Sequence, residues 1–139
     1  MALSYYYKIG LLVLNENRTR FLVCEKSPED TSDYIMPGGK FIEPTIEECL
    51  RNEIREELNC AIDMTTLRYV GAYTDVAAGR PDRDVTIELY SGVLIGTPVP
   101  SSEVRALHWI GRGHADDPRL SPIVRNKILP DLVHRKMLL

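Results

Sequence analysis

Glu53, Glu56 and Glu57 stand at i, i+3 and i+4 in a stretch of helical periodicity. At about 100° per residue, three such carboxylates share one sector roughly 100° wide. Like charges at these spacings cost a helix about 0.2–0.5 kcal/mol per pair. A divalent cation turns that repulsion into coordination, and Mg²⁺ prefers hard oxygen ligands of this kind. Glutamate is also an excellent helix former, and an acidic run is commonly the solvated face of a helix. The three residues alone therefore leave a metal site and a wet helix face both open. Just upstream, Pro37-Gly38-Gly39 forms a turn near enough in the chain to supply a backbone carbonyl as a further oxygen ligand.

The helix that must carry these carboxylates spans residues 45–58. Ile46, Leu50, Ile54 and Leu58 recur every four residues and form one apolar stripe. Thr45 is the expected N-cap, with Glu48 three residues later completing a capping box. Asn59 falls where a left-handed residue closes a helix. Ahead of the helix, residues 5–14 and 21–24 read as strands around the polar turn 15–18, which predicts a hairpin. Residues 26–33 form a polar loop, and residues 34–36 run into Pro37. Beyond the helix, residues 67–74 and 85–95 read as strands around a turn at 77–82, and residues 104–110 as a further short strand. Ser121 and Pro122 supply the N-cap and first position of a helix running toward Leu138, expected to kink or break near Pro130. This order predicts an α+β fold in which a mixed sheet is sandwiched between helices.

With 139 residues and no repeat, low-complexity tract or linker, the chain reads as a single domain, 1–139. No apolar run approaches the roughly 20 residues of a membrane helix, and the N-terminus lacks the pattern of a secretory signal. Cys24, Cys49 and Cys60 are odd in number without CxxC spacing, so they read as reduced thiols of a cytoplasmic protein. The net charge of −3 without a basic block argues against a nucleic-acid polymer as partner. A small anionic substrate stays open, because bound cations reverse the local sign.

The stretch from Gly38 to Cys60, GGKFIEPTIEECLRNEIREELNC, resembles the Nudix box, G-x5-E-x7-R-E-U-x-E-E-x-G-U, with U a bulky apolar residue. Asn52 to Asn59 occupy its R-E-U-x-E-E-x-G segment, and Pro-Gly-Gly-Lys is the family's habitual entry. The resemblance implies a Nudix fold, an α/β/α sandwich, and a site using Mg²⁺ (or Mn²⁺). It assigns the metal ligands to Glu53, Glu56 and Glu57 with the Gly38 carbonyl. Three positions depart from the pattern: Asn52 replaces the Arg, Asn59 the final Gly, and Pro44 falls on the first Glu when counted back from the helix. In the family that Arg and that Glu brace the loop against the helix, so their loss is paired.

A second resemblance lies in Ser101 to Ile110, which is similar to the late strand of nucleotide-hydrolysing members. There a Glu six residues before an aromatic reaches the metals or activates water, and Glu103 has that spacing to Trp109. By this comparison Glu53 or Glu103 takes the proton from water, and Glu57 belongs to the catalytic set. Lys26, at the end of the second strand, and Lys40, in the glycine turn, are candidate phosphate contacts or plain surface lysines. Arg80 and Arg83 reach a phosphate or base, or belong to a solvated hairpin. Tyr5, Tyr6, Tyr7 and Tyr34 offer stacking or ordinary strand packing. His108, His114 and His134 show no metal-ligand spacing and carry no catalytic expectation.

The resemblance implies a MutT-like pyrophosphohydrolase that converts a nucleoside triphosphate, modified nucleotides included, to the monophosphate and pyrophosphate. The expected partner is a small nucleotide, with no membrane and no nucleic-acid polymer, and the chain a monomer or homodimer. Residues 75–78 lack the proline or tyrosine that ADP-ribose and dinucleoside-polyphosphate members often carry there. Two other readings remain: a hydrolase of a nucleoside diphosphate linked to a sugar or other group, and a non-catalytic Nudix-fold binding module, motivated by the missing Arg and Glu.

Overall fold

The computed structural model describes residues 5–26, 33–42 and 44–139. Among these residues seven strands are β1 (Tyr5–Leu12), β2 (Phe21–Lys26), β3 (Tyr34–Ile35), β4 (Gly38–Lys40), β5 (Ala61–Ala77), β6 (Arg80–Ile95) and β7 (Val104–Ile110). They form two sheets. One is mixed, in the order β4-β1-β6-β5, with β1 parallel to β6. The other is antiparallel, in the order β3-β2-β7. Helix α1 (Ile46–Leu58) leads from β4 to β5, and α2 (Leu129–His134) lies near the C-terminus.

Side-chain alternation along the strands explains the layering, since successive residues face opposite sides. Ile9, Leu11 and Val13 pack with Leu22, Cys24 and the α1 residues Cys49, Leu50, Ile54 and Leu58. Leu12, Phe21 and Val23 face the other way, against Ile123, Val124, Ile128, Leu129 and Leu132. Helices therefore cover both faces, and the expected sandwich is present. Burial of each large aliphatic side chain contributes about 1.5–3 kcal/mol before entropy is subtracted.

Helix α1 begins and ends where its sequence dictates. Thr45 accepts a hydrogen bond from the Glu48 N–H at 3.1 Å. Asn59 adopts φ 52° and ψ 38°, and its N–H donates to the Arg55 carbonyl. Asn pays less than other side chains for this conformation.

Four local expectations are corrected. The β1–β2 hairpin is confined to its turn end: Leu14 bridges Phe21, Asn15 N–H donates to the Arg20 carbonyl and Leu22 N–H to the Val13 carbonyl, and beyond this the two strands enter different sheets. Strands β5 and β6 are longer than the apolar pattern implied, closing at an Ala77–Arg80 pair, so Arg80 and Arg83 lie in a strand and not in a loop. The C-terminal helix also runs unbroken over 122–134. It accommodates Pro130, which has no N–H and crowds the carbonyl four residues back, by widening into a π-helical turn at Val124–Ile128. There Leu129 N–H donates to the Val124 carbonyl. Ser121 does not cap this helix through its hydroxyl, which is fully buried and has no partner among the described residues.

Candidate active site

Glu57, on the last turn of α1, is only 5% exposed. Its Oε1 accepts the Gly38 N–H at 2.8 Å, and its Oε2 lies 3.1 Å from Lys26 Nζ. Lys26 ends β2 just past a register shift in the pairing with β7, where it lies opposite Val104. Such irregularities re-aim a side chain. The same pairing delivers Glu103 beside it, with Lys26 Nζ 3.6 Å from Glu103 Oε2. One ammonium thus joins a carboxylate of α1 to the carboxylate at the start of β7.

Glu53 sits one turn earlier and closes on the glycine turn. A Cβ at Gly39 would lie 2.3–2.6 Å from the three carboxyl atoms of Glu53, so only glycine admits that carboxylate. Gly38 has φ 141°, and a Cβ there would lie 2.1 Å from the Ile9 carbonyl oxygen. Burial, and then the negative charges of Glu57 and Glu56, push the Glu53 carboxyl above its ordinary range. Burial also pushes Glu57 up, against the opposing pull of Lys26 and the Gly38 N–H. Burial pulls Lys26 down, but the charge of Glu57, its hydrogen bond and the charge of Glu103 outweigh it and raise the ammonium. These are shifts by desolvation and neighbouring charge, acting in the directions expected for each.

Among the described residues no three His, Cys, Asp or Glu side chains converge closely enough to cage an ion as they stand. The donor chemistry nevertheless suits a hard cation, since Glu56, Glu57 and Glu103 all act on Glu53 through their charge. Glu56 itself is exposed.

A cavity of about 310 Å³ adjoins these carboxylates. Its lining combines the charged Lys8, Lys26, Lys40 and Glu103 with the apolar Met36, Ile87 and Ile123. The buried Ser121 hydroxyl group belongs to a residue that also lines it. The structure therefore brings Gly38, Glu53, Glu57, Glu103, Lys26 and Lys40 into one region.

Lys8 was not legible as a site residue. A lone lysine in a strand carries no spacing signal, and only its register against Lys40 in β4 places it here. Of the tyrosines, Tyr6 lines the cavity. Tyr7 donates to Glu88 and stacks on Phe41. Tyr34 stacks on His108 with ring centroids 4.2 Å apart, and His108 also contacts Glu25 at 2.8 Å. Only the backbone of Tyr5 is described. The three cysteines are buried, with the Cys49 thiol donating to the Lys40 carbonyl at 3.2 Å, and among the described residues no helix is long and apolar enough to cross a membrane.

The chain is similar in fold to a MutT protein of Methanosarcina mazei, with 16% identity, 98% of each chain covered and a TM-score of 0.76. The ORF135 protein of E. coli aligns at 20% identity over 96% of this chain and 91% of that one, with a TM-score of 0.68. A MutT NUDIX hydrolase of Burkholderia pseudomallei aligns at 21% identity over 78% and 84%, with a TM-score of 0.61. No curated protein matches the sequence. The NUDIX domain profile matches residues 5–132, nearly the whole chain, and the chain accordingly belongs to the Nudix family of hydrolases, which act on pyrophosphate bonds of nucleotide-like substrates.

Proposed function

We propose that this chain hydrolyses a nucleoside triphosphate, modified nucleotides included, to the monophosphate and pyrophosphate, with divalent metal ions bound at the α1 carboxylates. One observation carries the reading: Lys26 bridges Glu57 and Glu103, Glu53 lies within the field of all three, and beside them is a cavity that combines lysines with an apolar wall. Phosphates suit the charged part of that lining and a nucleoside the apolar part.

Glu53, Glu56 and Glu57, with the Gly38 carbonyl, would hold Mg²⁺ or Mn²⁺, in keeping with the family's general use of divalent metals. Bound there, the metal supplies a lowered pKa for water and charge neutralisation on the phosphoryl oxygens. Glu53 or Glu103 accepts the proton of the attacking water. Burial makes Glu53 more basic than an ordinary carboxylate, which suits a general base. Lys26 holds Glu57 and Glu103 in place and, with Lys40, faces the phosphate oxygens. The attacked phosphorus gains an oxygen from water, and the bond to the bridging oxygen of the leaving pyrophosphate breaks.

A panel of nucleoside triphosphates and diphosphate-linked sugars, assayed with Mg²⁺ or Mn²⁺, tests this alongside Glu57→Gln. Gln keeps an acceptor for the Gly38 N–H but removes the anionic ligand, so the rate should drop by on the order of a hundredfold or more. Full rate in Glu57→Gln would refute the metal assignment. Absence of turnover for every pyrophosphate compound would refute the enzymatic reading.

A further inference from the structure

We propose that Lys8, Lys40 and Arg83, gathered on the ring of Tyr6, form a subsite for a terminal phosphate of the substrate. This rests on the reading of the carboxylates as the hydrolytic centre, and it deepens that reading by naming the substrate class. The class is a polyphosphate with a free, fully ionised end, and not a diphosphate capped by an uncharged group.

Three cations converge on one aromatic ring. Lys40 Nζ lies 5.2 Å from the Tyr6 centroid, Arg83 Cζ 5.6 Å and Lys8 Nζ 5.9 Å. Arg83 Nη1 also donates to the Tyr6 hydroxyl at 3.2 Å. Each cation–π contact is favourable, but the three cations repel one another. Lys8 and Lys40 are direct cross-strand partners, an arrangement that destabilises a sheet when the charges are alike.

The group is short of close counter-charge among the described residues, with the carboxylates of Glu57 and Glu53 acting on Lys8 only through their field. Among the described residues Lys8 and Lys40 make no ion pair, and Arg83 meets only Asp82, at 3.9 Å. Lys26, by contrast, is satisfied by Glu57 and Glu103. The Arg83 Nε is buried without a hydrogen-bond partner, an unfavourable state for a donor removed from water. Burial and then the charge of Lys26 pull the Lys8 ammonium down, with Lys40 adding to this and Glu57 and Glu53 opposing it. A dianionic phosphate would relieve both the repulsion and the orphaned donor.

The strand register sets where that anion belongs. Gly38, whose N–H holds Glu57, pairs with Gly10, and Lys40 pairs with Lys8. The lysine row is thus one two-residue repeat, about 7 Å, from the glycine row at the carboxylates. Tyr6, two residues before Lys8, carries the group one repeat further and lines the same cavity as Lys8, Lys40 and Gly38. A polyphosphate attacked at the carboxylates extends its remaining phosphate toward this cluster, and an uncharged sugar leaves the cluster unpaired.

Equilibrium binding of inorganic tripolyphosphate and of orthophosphate to the metal-free full chain tests the subsite without turnover. Wild type should prefer tripolyphosphate, and Arg83→Gln and Lys40→Gln should each weaken it on the order of tenfold, as for one lost charge-assisted hydrogen bond. Arg51→Gln, exposed on α1 away from the cluster, should bind as wild type. With Mg²⁺, Arg83→Gln should lower kcat/KM for a nucleoside triphosphate about tenfold but for a diphosphate-linked sugar less than twofold. Lys40 is exposed, so its variant tests the subsite even where Arg83→Gln does not fold. Tripolyphosphate affinity within twofold of wild type in folded variants overturns the subsite, even with hydrolysis intact. Loss of that affinity in a protein that hydrolyses nothing upholds the subsite and refutes the hydrolytic reading instead.

Discussion

Lys26 Nζ stands 3.1 Å from Glu57 Oε2, inside a pocket where Lys26 is 16% exposed and the glutamate side chain 6%. The pair joins the end of β2 to the last turn of α1, and it places a fixed positive charge against a proposed metal ligand. Removing one partner of a buried ion pair leaves the other charge uncompensated, typically at a cost of 3–5 kcal/mol. Lys26→Met should therefore destabilise the metal-free protein by on the order of 2–4 kcal/mol, since the pair is not wholly buried. Added Mg²⁺ should recover more of the unfolding temperature in Lys26→Met than in wild type, because it replaces the missing cation. Equal Mg²⁺-induced shifts in the two proteins would argue against metal at Glu57.

The two glycines of the turn should fail differently when replaced by alanine. Gly38→Ala forces a side chain at φ 141° into the Ile9 carbonyl and should cost about 2–4 kcal/mol of stability. Gly39→Ala meets the carboxyl of Glu53, the end of a side chain that can move aside. Stability should change by less than about 1 kcal/mol, with activity falling on the order of tenfold or more as the carboxylate shifts. Denaturant unfolding and kcat measured on both variants check the contrast.

Asn59 offers a test confined to one backbone conformation. At φ 52°, Asn59→Ala should destabilise by about 1–2 kcal/mol. Asn59→Gly, which restores the residue the Nudix box carries there, should equal or exceed wild type in thermal unfolding.

At alkaline pH the clasp between β5 and α2 should loosen. Burial and the hydrogen bond to Asp131, at 2.5 Å, raise the Tyr73 hydroxyl to about 12. The folded state thus holds the proton more tightly than the unfolded chain, whose tyrosine titrates near 10. The stabilisation is complete below pH 10 and declines as pH rises from about 10 to 12. Tyr73 is partly exposed, so solvent screening limits the effect to on the order of 1–2 kcal/mol. Tyr73→Phe should flatten the stability profile over that window, and an unchanged slope would remove Tyr73 as its source.

The sequence by itself determined α1 and its carboxylates. Helical spacing is local, so Glu53, Glu56 and Glu57 share a sector whatever packs around them, and the cap at Thr45 and the left-handed Asn59 follow from their own side chains. The turn at Gly38 was equally plain, because few residues besides glycine tolerate its backbone. Tertiary structure alone decided which strands are neighbours. The local turn at 15–18 does hold Leu14 against Phe21, yet the length of β1 found its partners in β4 and β6, far along the chain, since strand pairing is settled by non-local burial. The same pairing brought Glu103 to Lys26 through β2 and β7, and set Lys8 opposite Lys40 with Arg83 on Tyr6. No spacing within a segment encodes such meetings, because they exist only once two faces of two sheets have been buried against their helices.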